Sequence, residues 1–159
     1  MTGKASGAKT GAIPEGARFR HRLRTRFFEV DAHGQVHNAY YLVYAEEAVT
    51  AFLNDLGCAE LIEPGAGGSI FVVVRSAVDY LHPVGFDETL VLAVWVRRLG
   101  RSSLTFAVTA AKEAGDVAAD VEIVWVCKDT ATGRSTPLAP ALVERLQDVV
   151  FAAVGDSAP

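Results

Sequence analysis

The sequence predicts an α+β domain in which a curved antiparallel sheet wraps around one long central helix. Three observations carry that expectation. Only residues 39–56 combine real length with apolar residues at helical spacing. One strand-like stretch precedes them and four follow, at 69–80, 88–99, 102–112 and 117–129. The breaks between those four are short and hold glycine, which favours antiparallel neighbours over helical crossovers. A lone helix with a wide apolar face needs a sheet to bury it, and the twist of such a sheet lets it curl around its cargo.

The elements follow in order along the chain. Residues 1–17 lack the apolar centre of a signal peptide and read as a flexible tail. From 18 to 28 the residues alternate strictly: Arg18, Arg20, Arg22, Arg24 and Arg26 on one side, Phe19, His21, Leu23, Thr25 and Phe27 on the other. Period two means a strand with a solvated basic face. Residues 29–34 form a turn-rich connector in which Gly34 is free to take positive φ. Asn38 then offers an N-cap, and Gly57 closes the helix at C′. Tyr41, Ala45, Ala48, Phe52 and Leu56 form the buried stripe, widened by Leu42, Val49 and Leu53, while Glu46, Glu47, Thr50 and Asn54 gather on the polar side. After the loop at 64–68 come the four strands, then a turn at Thr132 and Gly133 and a short terminal helix at 140–150. Residues 18–150 form one domain, and 151–159 read as a C-terminal tail.

At 159 residues the chain is one domain in size. Its net charge of −4 makes it a poor non-specific ligand for nucleic acid. Residues 1–28 nevertheless hold seven of the fifteen Lys and Arg residues against one carboxylate, Glu15, a strip suited to a compact anion such as phosphate. Cys58 and Cys127 are far apart and unpatterned, as expected of buried thiols in a reducing compartment, and no apolar run approaches a membrane span. The expected location is the cytoplasm. Zinc-ligand spacing, a phosphate-binding glycine loop and the GxSxG elbow are all missing, so no metal is expected.

The element order describes the hot-dog fold, and the segment Glu-Val-Asp-Ala-His-Gly-Gln-Val-His-Asn-Ala-Tyr-Tyr at 29–41 resembles the signature of the 4-hydroxybenzoyl-CoA thioesterase family of that fold. An Asp-x-x-Gly turn there leads into a helix start holding Asn or His and an aromatic residue. The stretches at 78–83, 98–103 and 125–127 resemble the family's in the same order. The resemblance implies an acyl-CoA thioesterase. Asp31 takes the place of the catalytic aspartate, as nucleophile or general base, and the Asn38 backbone amide takes that of the group polarising the thioester carbonyl. Gly34 and Tyr41 fall on the substrate-binding part of the motif, and Arg98, Arg101, Ser102 and Ser103 on the coenzyme site. Arg suits phosphate because its planar fork donates two parallel hydrogen bonds.

The physics agrees with these roles. Thioester hydrolysis needs an oxygen nucleophile and a donor for the developing oxyanion, and a helix N-terminus supplies unpaired N–H groups and positive dipole. Several relatives carry His where this chain has Asn38, and His37, one place earlier, is a secondary candidate. Glu46 is another, because a second branch of hot-dog thioesterases places its carboxylate on the helix. No cofactor is implied, since coenzyme A is part of the substrate; an acyl-carrier protein is a further possible partner. Two rival functions are an acyl-thioester hydratase or dehydratase pairing Asp31 with His37, and a non-catalytic acyl-CoA binding module. A homodimer or homotetramer with sites built from two chains is expected, both from the resemblance and because strand 88–99 is apolar on both faces.

Overall fold

The computed structural model describes residues 13–151; residues 1–12, with Lys4 and Lys9, and residues 152–159 lie outside the described part. Five strands, β1 (Arg20–Arg24), β2 (Ser69–Tyr80), β3 (Thr89–Leu99), β4 (Ser103–Lys112) and β5 (Val117–Asp129), form one antiparallel sheet in the order β1-β3-β4-β5-β2. The long helix α1 (Tyr40–Asp55) lies in its curve, and the shorter α2 (Ala59–Ile62) and α3 (Pro140–Leu146) follow α1 and β5. This is the expected α+β hot-dog arrangement, with strand limits within one residue of those read from periodicity for β2 to β5.

The first strand is shorter than its alternation suggests. Thr25 leaves the pattern by donating its hydroxyl to the Gly85 carbonyl at 2.8 Å, and residues Phe27–Glu29 then form a 3-10 turn. Three residues per turn destroy a period of two. Phe27, expected on the apolar side, is consequently 80% exposed, while Glu29, read as part of a connector, is buried.

On α1 the buried residues are Tyr41, Tyr44, Ala45, Ala48, Val49, Phe52 and Leu53, packed against the inward side chains of β3, β4 and β5. The helix stops where expected. Gly57 has φ +67°, its N–H donates to the Asn54 carbonyl at 2.9 Å, and the Cys58 N–H donates to that of Leu53 at 2.8 Å. That pair of bonds is the Schellman closure, which needs a left-handed residue at C′. Cys58 and Cys127 are both buried free thiols.

The second apolar face of β3 has a different explanation from the one its pattern suggested. Ala93 and Trp95, with Ala107 of β4, are covered by Ile13, Ala17 and Phe151 of the same chain. Residues 13–17, assigned to the tail by composition, thus include packed ones, and the C-terminal boundary residue Phe151 donates its N–H to the Val96 carbonyl at 2.9 Å. Uncovered apolar surface sits instead on the edge strand β2, where Val73 and Val74 are about half exposed beside a register shift.

Candidate active site

Residues 29–37 make a small hairpin between β1 and α1. Val30 bridges Val36, Asp31 N–H donates to the Gln35 carbonyl at 2.8 Å, and His37 N–H donates to that of Glu29 at 2.8 Å. At its tip the Gly34 N–H donates to the Asp31 carbonyl at 3.0 Å, with Gly34 at φ +76°. A side chain on an L-residue is strained at that angle, which accounts for glycine at the end of the Asp-x-x-Gly turn.

The same turn holds the Asp31 carboxylate. Its Oδ1 accepts the His33 N–H at 2.8 Å and the Gln35 N–H at 3.4 Å. Donors aimed at a carboxylate favour its ionised form. The His33 amide, foremost, therefore holds the Asp31 carboxyl below its ordinary value, against a smaller opposing effect of burial. Asp31 is a stable anion that remains partly open to solvent.

The helix start differs from the sequence reading. Asn38 is not the N-cap: Ala39 occupies that position, at φ −64° and ψ −28°, with no side-chain cap of its own. The ring of His37 acts there instead, its Nδ1 accepting the Ala39 N–H at 3.2 Å. Asn38 contributes through its main chain. Its carbonyl accepts the Tyr80 hydroxyl at 3.0 Å, and its N–H has no hydrogen-bond partner among the described residues. The carbonyl on the other side of that peptide, His37 O, accepts from Tyr40 N–H at 2.9 Å. Such a bond polarises the peptide and makes the Asn38 N–H a stronger donor.

Asp31, His37, Asn38 and Tyr41 line one cleft of about 450 Å³, together with Gln35, Val36, Tyr80, Leu81, His82 and Pro83. Tyr41 is buried at its side, ring edge against Tyr80 at 5.4 Å, and burial pushes its phenol up. His82 is fixed by a 2.7 Å bond from Nδ1 to the Val117 carbonyl. Tyr80 and His82 were missed as site residues, although both lie in the 78–83 stretch that carries part of the family resemblance.

Other candidates lie elsewhere. Glu46 does not line the cleft and is half-buried at the margin of the polar face of α1. Burial pushes its carboxyl up from the ordinary 4.5, and the Trp125 indole on β5 draws it partly back. The two stop short of hydrogen-bonding geometry, leaving Trp125 Nε1 buried without a partner among the described residues. Its neighbour Glu47 is exposed and meets His21 of β1 at 2.9 Å. Arg98, Arg101, Ser102 and Ser103 cluster at the β3–β4 turn. Ser103 pairs with Val126, and Ser69 with Asp129, so this turn is at the Ser69 end of β2. The cleft is at the other end, beside Tyr80. Within one chain the coenzyme candidates and Asp31 are therefore at opposite ends of the sheet.

Among the described residues, no group of three or more His, Cys, Asp or Glu side chains converges as a metal site would, and no helix is long and apolar enough to cross a membrane. A model of the thioesterase superfamily matches residues 33–119 of the chain. The long-chain acyl-CoA thioesterase FadM of Escherichia coli is 28% identical over 130 residues, spanning 81% of this chain and 97% of its own. Among solved structures, the PA5185 protein of Pseudomonas aeruginosa superposes with a TM-score of 0.76 at 26% identity, over 88% of this chain and 96% of its own. The DHNA-CoA thioesterase of Staphylococcus aureus shares the fold with a TM-score of 0.75 at 20% identity, over 82% of this chain and 89% of its own.

Proposed function

The chain belongs to the thioesterase superfamily and is a thioester hydrolase, and from that premise we propose that it cleaves acyl-CoA to a free acid and coenzyme A at Asp31. One observation carries the reading: a single cleft is lined by Asp31, a carboxylate kept ionised by its own turn, and by Asn38, whose N–H, beside the start of α1, has no hydrogen-bond partner among the described residues. The Asn38 amide accepts the charge that develops on the thioester oxygen. The Asp31 carboxylate either attacks the carbonyl carbon, expelling the thiolate and leaving an anhydride for water to open, or takes a proton from a water that attacks. Both routes need Asp31 ionised, which the amides of its own turn favour. No resident cofactor takes part.

In this reading the chain belongs to the branch whose carboxylate precedes the helix, the 4-hydroxybenzoyl-CoA thioesterase type, and works in the cytoplasm as one hot-dog domain whose packing reaches from Ile13 to Phe151. The name of the Escherichia coli relative supports acyl-CoA as the substrate class, with an acyl-carrier protein as an alternative thiol carrier. The hydratase reading is weaker because Nδ1 of His37 is engaged by the Ala39 amide.

The working unit in this reading is at least a homodimer, and a homotetramer if two dimers associate. β2 is an edge strand with half-exposed Val73 and Val74. Antiparallel pairing of two β2 strands would bring the Ser69 end of one subunit to the Tyr80 end of the other. The second subunit's β3–β4 turn, with Arg98, Arg101, Ser102 and Ser103, would then lie at the same end of the joined sheet as the cleft, ready for the phosphates. Thiol release from acetyl-, decanoyl-, palmitoyl- and benzoyl-CoA tests the activity, and light scattering on the same samples tests the assembly. Turnover of at least one substrate by a dimer or larger species is expected. Water addition to an enoyl-CoA without thiol release, or a fully active monomer, would refute the respective part.

A further inference from the structure

We propose that Glu29 and Tyr44 are positioning residues for this reaction, a buried carboxylate–phenol clamp that sets the Asp31 carboxylate relative to the Asn38 amide. The inference rests on the roles proposed above for those two groups. Glu29 stands at the foot of the hairpin and is 1% exposed. Its Oε2 accepts the Tyr44 hydroxyl at 2.7 Å and the Arg26 backbone N–H at 2.6 Å, and its Oε1 pairs with Arg26 Nε at 2.9 Å. Its backbone carbonyl accepts the His37 N–H at 2.8 Å. One residue thus joins the chain leaving β1, the body of α1 and both arms of the hairpin. Asp31 follows Glu29 by two positions on the first arm, and Asn38 follows His37 on the second.

A buried carboxylate is costly unless its oxygens are satisfied, and an apolar side chain would fill this space without that cost. What the carboxylate adds is direction. Short bonds to fixed donors specify one arrangement of hairpin against helix, whereas apolar contact tolerates several. Tyr44 is fully buried as well. Its burial, then the Glu29 carboxylate, hold the phenol protonated well above the ordinary tyrosine range, so it remains a donor at any physiological pH. Neither residue lines the cleft. Loss of the clamp should therefore spare substrate binding and disturb the alignment of the reacting groups, where an error of about 1 Å can cost on the order of 100-fold in rate.

The test compares Tyr44→Phe, Glu29→Gln and the double variant with Asp31→Asn, using the fastest substrate of the four-member panel and recording Tm for each. The expected result is a fall in kcat of about 10- to 100-fold for each single variant, with KM within about twofold of wild type. The double variant should be no slower than the slower single one, because the two groups act as a unit. Tyr44→Phe removes one oxygen and keeps the ring, so it reports even if Glu29→Gln folds poorly. Wild-type kcat in folded Tyr44→Phe, or a loss confined to KM, overturns the clamp while leaving the Asp31 reading intact, provided Asp31→Asn is inactive. Retained turnover in Asp31→Asn removes the Asp31 reading and the clamp with it.

Discussion

Asp31 and Glu46 lie fifteen positions apart, and both are carboxylates on the segment that builds the cleft's side of the molecule, yet the fold treats them in opposite ways. Asp31 sits in a turn whose amides point at it, and its acidity rises. Glu46 is half-buried beside the Trp125 indole of the sheet, and its acidity falls. The difference shows that residue type does not assign catalytic roles; the donors that surround a carboxylate do. One group is a standing anion in the same cleft as Asn38, whose N–H has no partner among the described residues, and the other is a carboxyl made harder to ionise away from that cleft.

Lengthening each side chain or shortening it by one methylene is the severest way to probe that contrast. Asp31→Glu should lower kcat on the order of 100-fold, since attack depends on placement to within about an ångström. Glu46→Asp should cost less than about threefold. A similar loss in both variants would show that the two carboxylates share the chemistry. Arg98→Ala and Arg101→Ala sharpen the comparison from the substrate's side. Each should raise KM for acyl-CoA by roughly tenfold with kcat little changed, because phosphate contacts persist from ground state to transition state. Acyl-pantetheine, which lacks those phosphates, should be indifferent to the change, and equal sensitivity would remove the β3–β4 turn from the coenzyme site.

The pH profile separates the carboxylates without mutation. If Asp31 must be ionised, the acid limb of kcat/KM falls below the ordinary 3.8, whereas dependence on Glu46 would place it above 4.5. Stability follows the same signs. Asp31 binds its proton more weakly folded than unfolded, so its contribution is present above the unfolded value and is lost as pH falls through the folded one. Glu46 is the reverse: its contribution is present at acid pH and is withdrawn as pH rises through its folded value. The smallest effect concerns the helix start. His37→Ala should cost about 0.5–2 kcal/mol because the ring caps Ala39, while Asn38→Ala should be nearly silent in thermal melts. The opposite ranking would return the cap to Asn38.

Much of this was legible in the sequence because it is periodic. Strands β2 to β5 announce themselves by alternation between glycine breaks, and α1 by a wide stripe closed by Gly57. The Asp-x-x-Gly turn was readable because glycine at its end has a backbone reason. What escaped depends on contacts between segments distant in sequence. Nothing local to Glu29 says that its carboxylate is buried on Tyr44, fifteen residues on, or that the ring of His37 displaces Asn38 as the cap. The cover on Trp95 comes from Ile13, Ala17 and Phe151, near both ends of the described chain, so composition read it as tail. Tyr80 and His82 join the site only because β2 ends where α1 begins.

The most direct test of Asp31 as the reacting carboxylate is thiol release at saturating acyl-CoA, measured side by side for wild type, Asp31→Asn and Glu46→Gln. All three should melt as folded proteins. Asp31→Asn should lose at least about 10²- to 10⁴-fold in kcat, and Glu46→Gln should remain within about tenfold of wild type. Near wild-type turnover in Asp31→Asn, with Glu46→Gln inactive, would contradict the assignment and move the chemistry onto the helix.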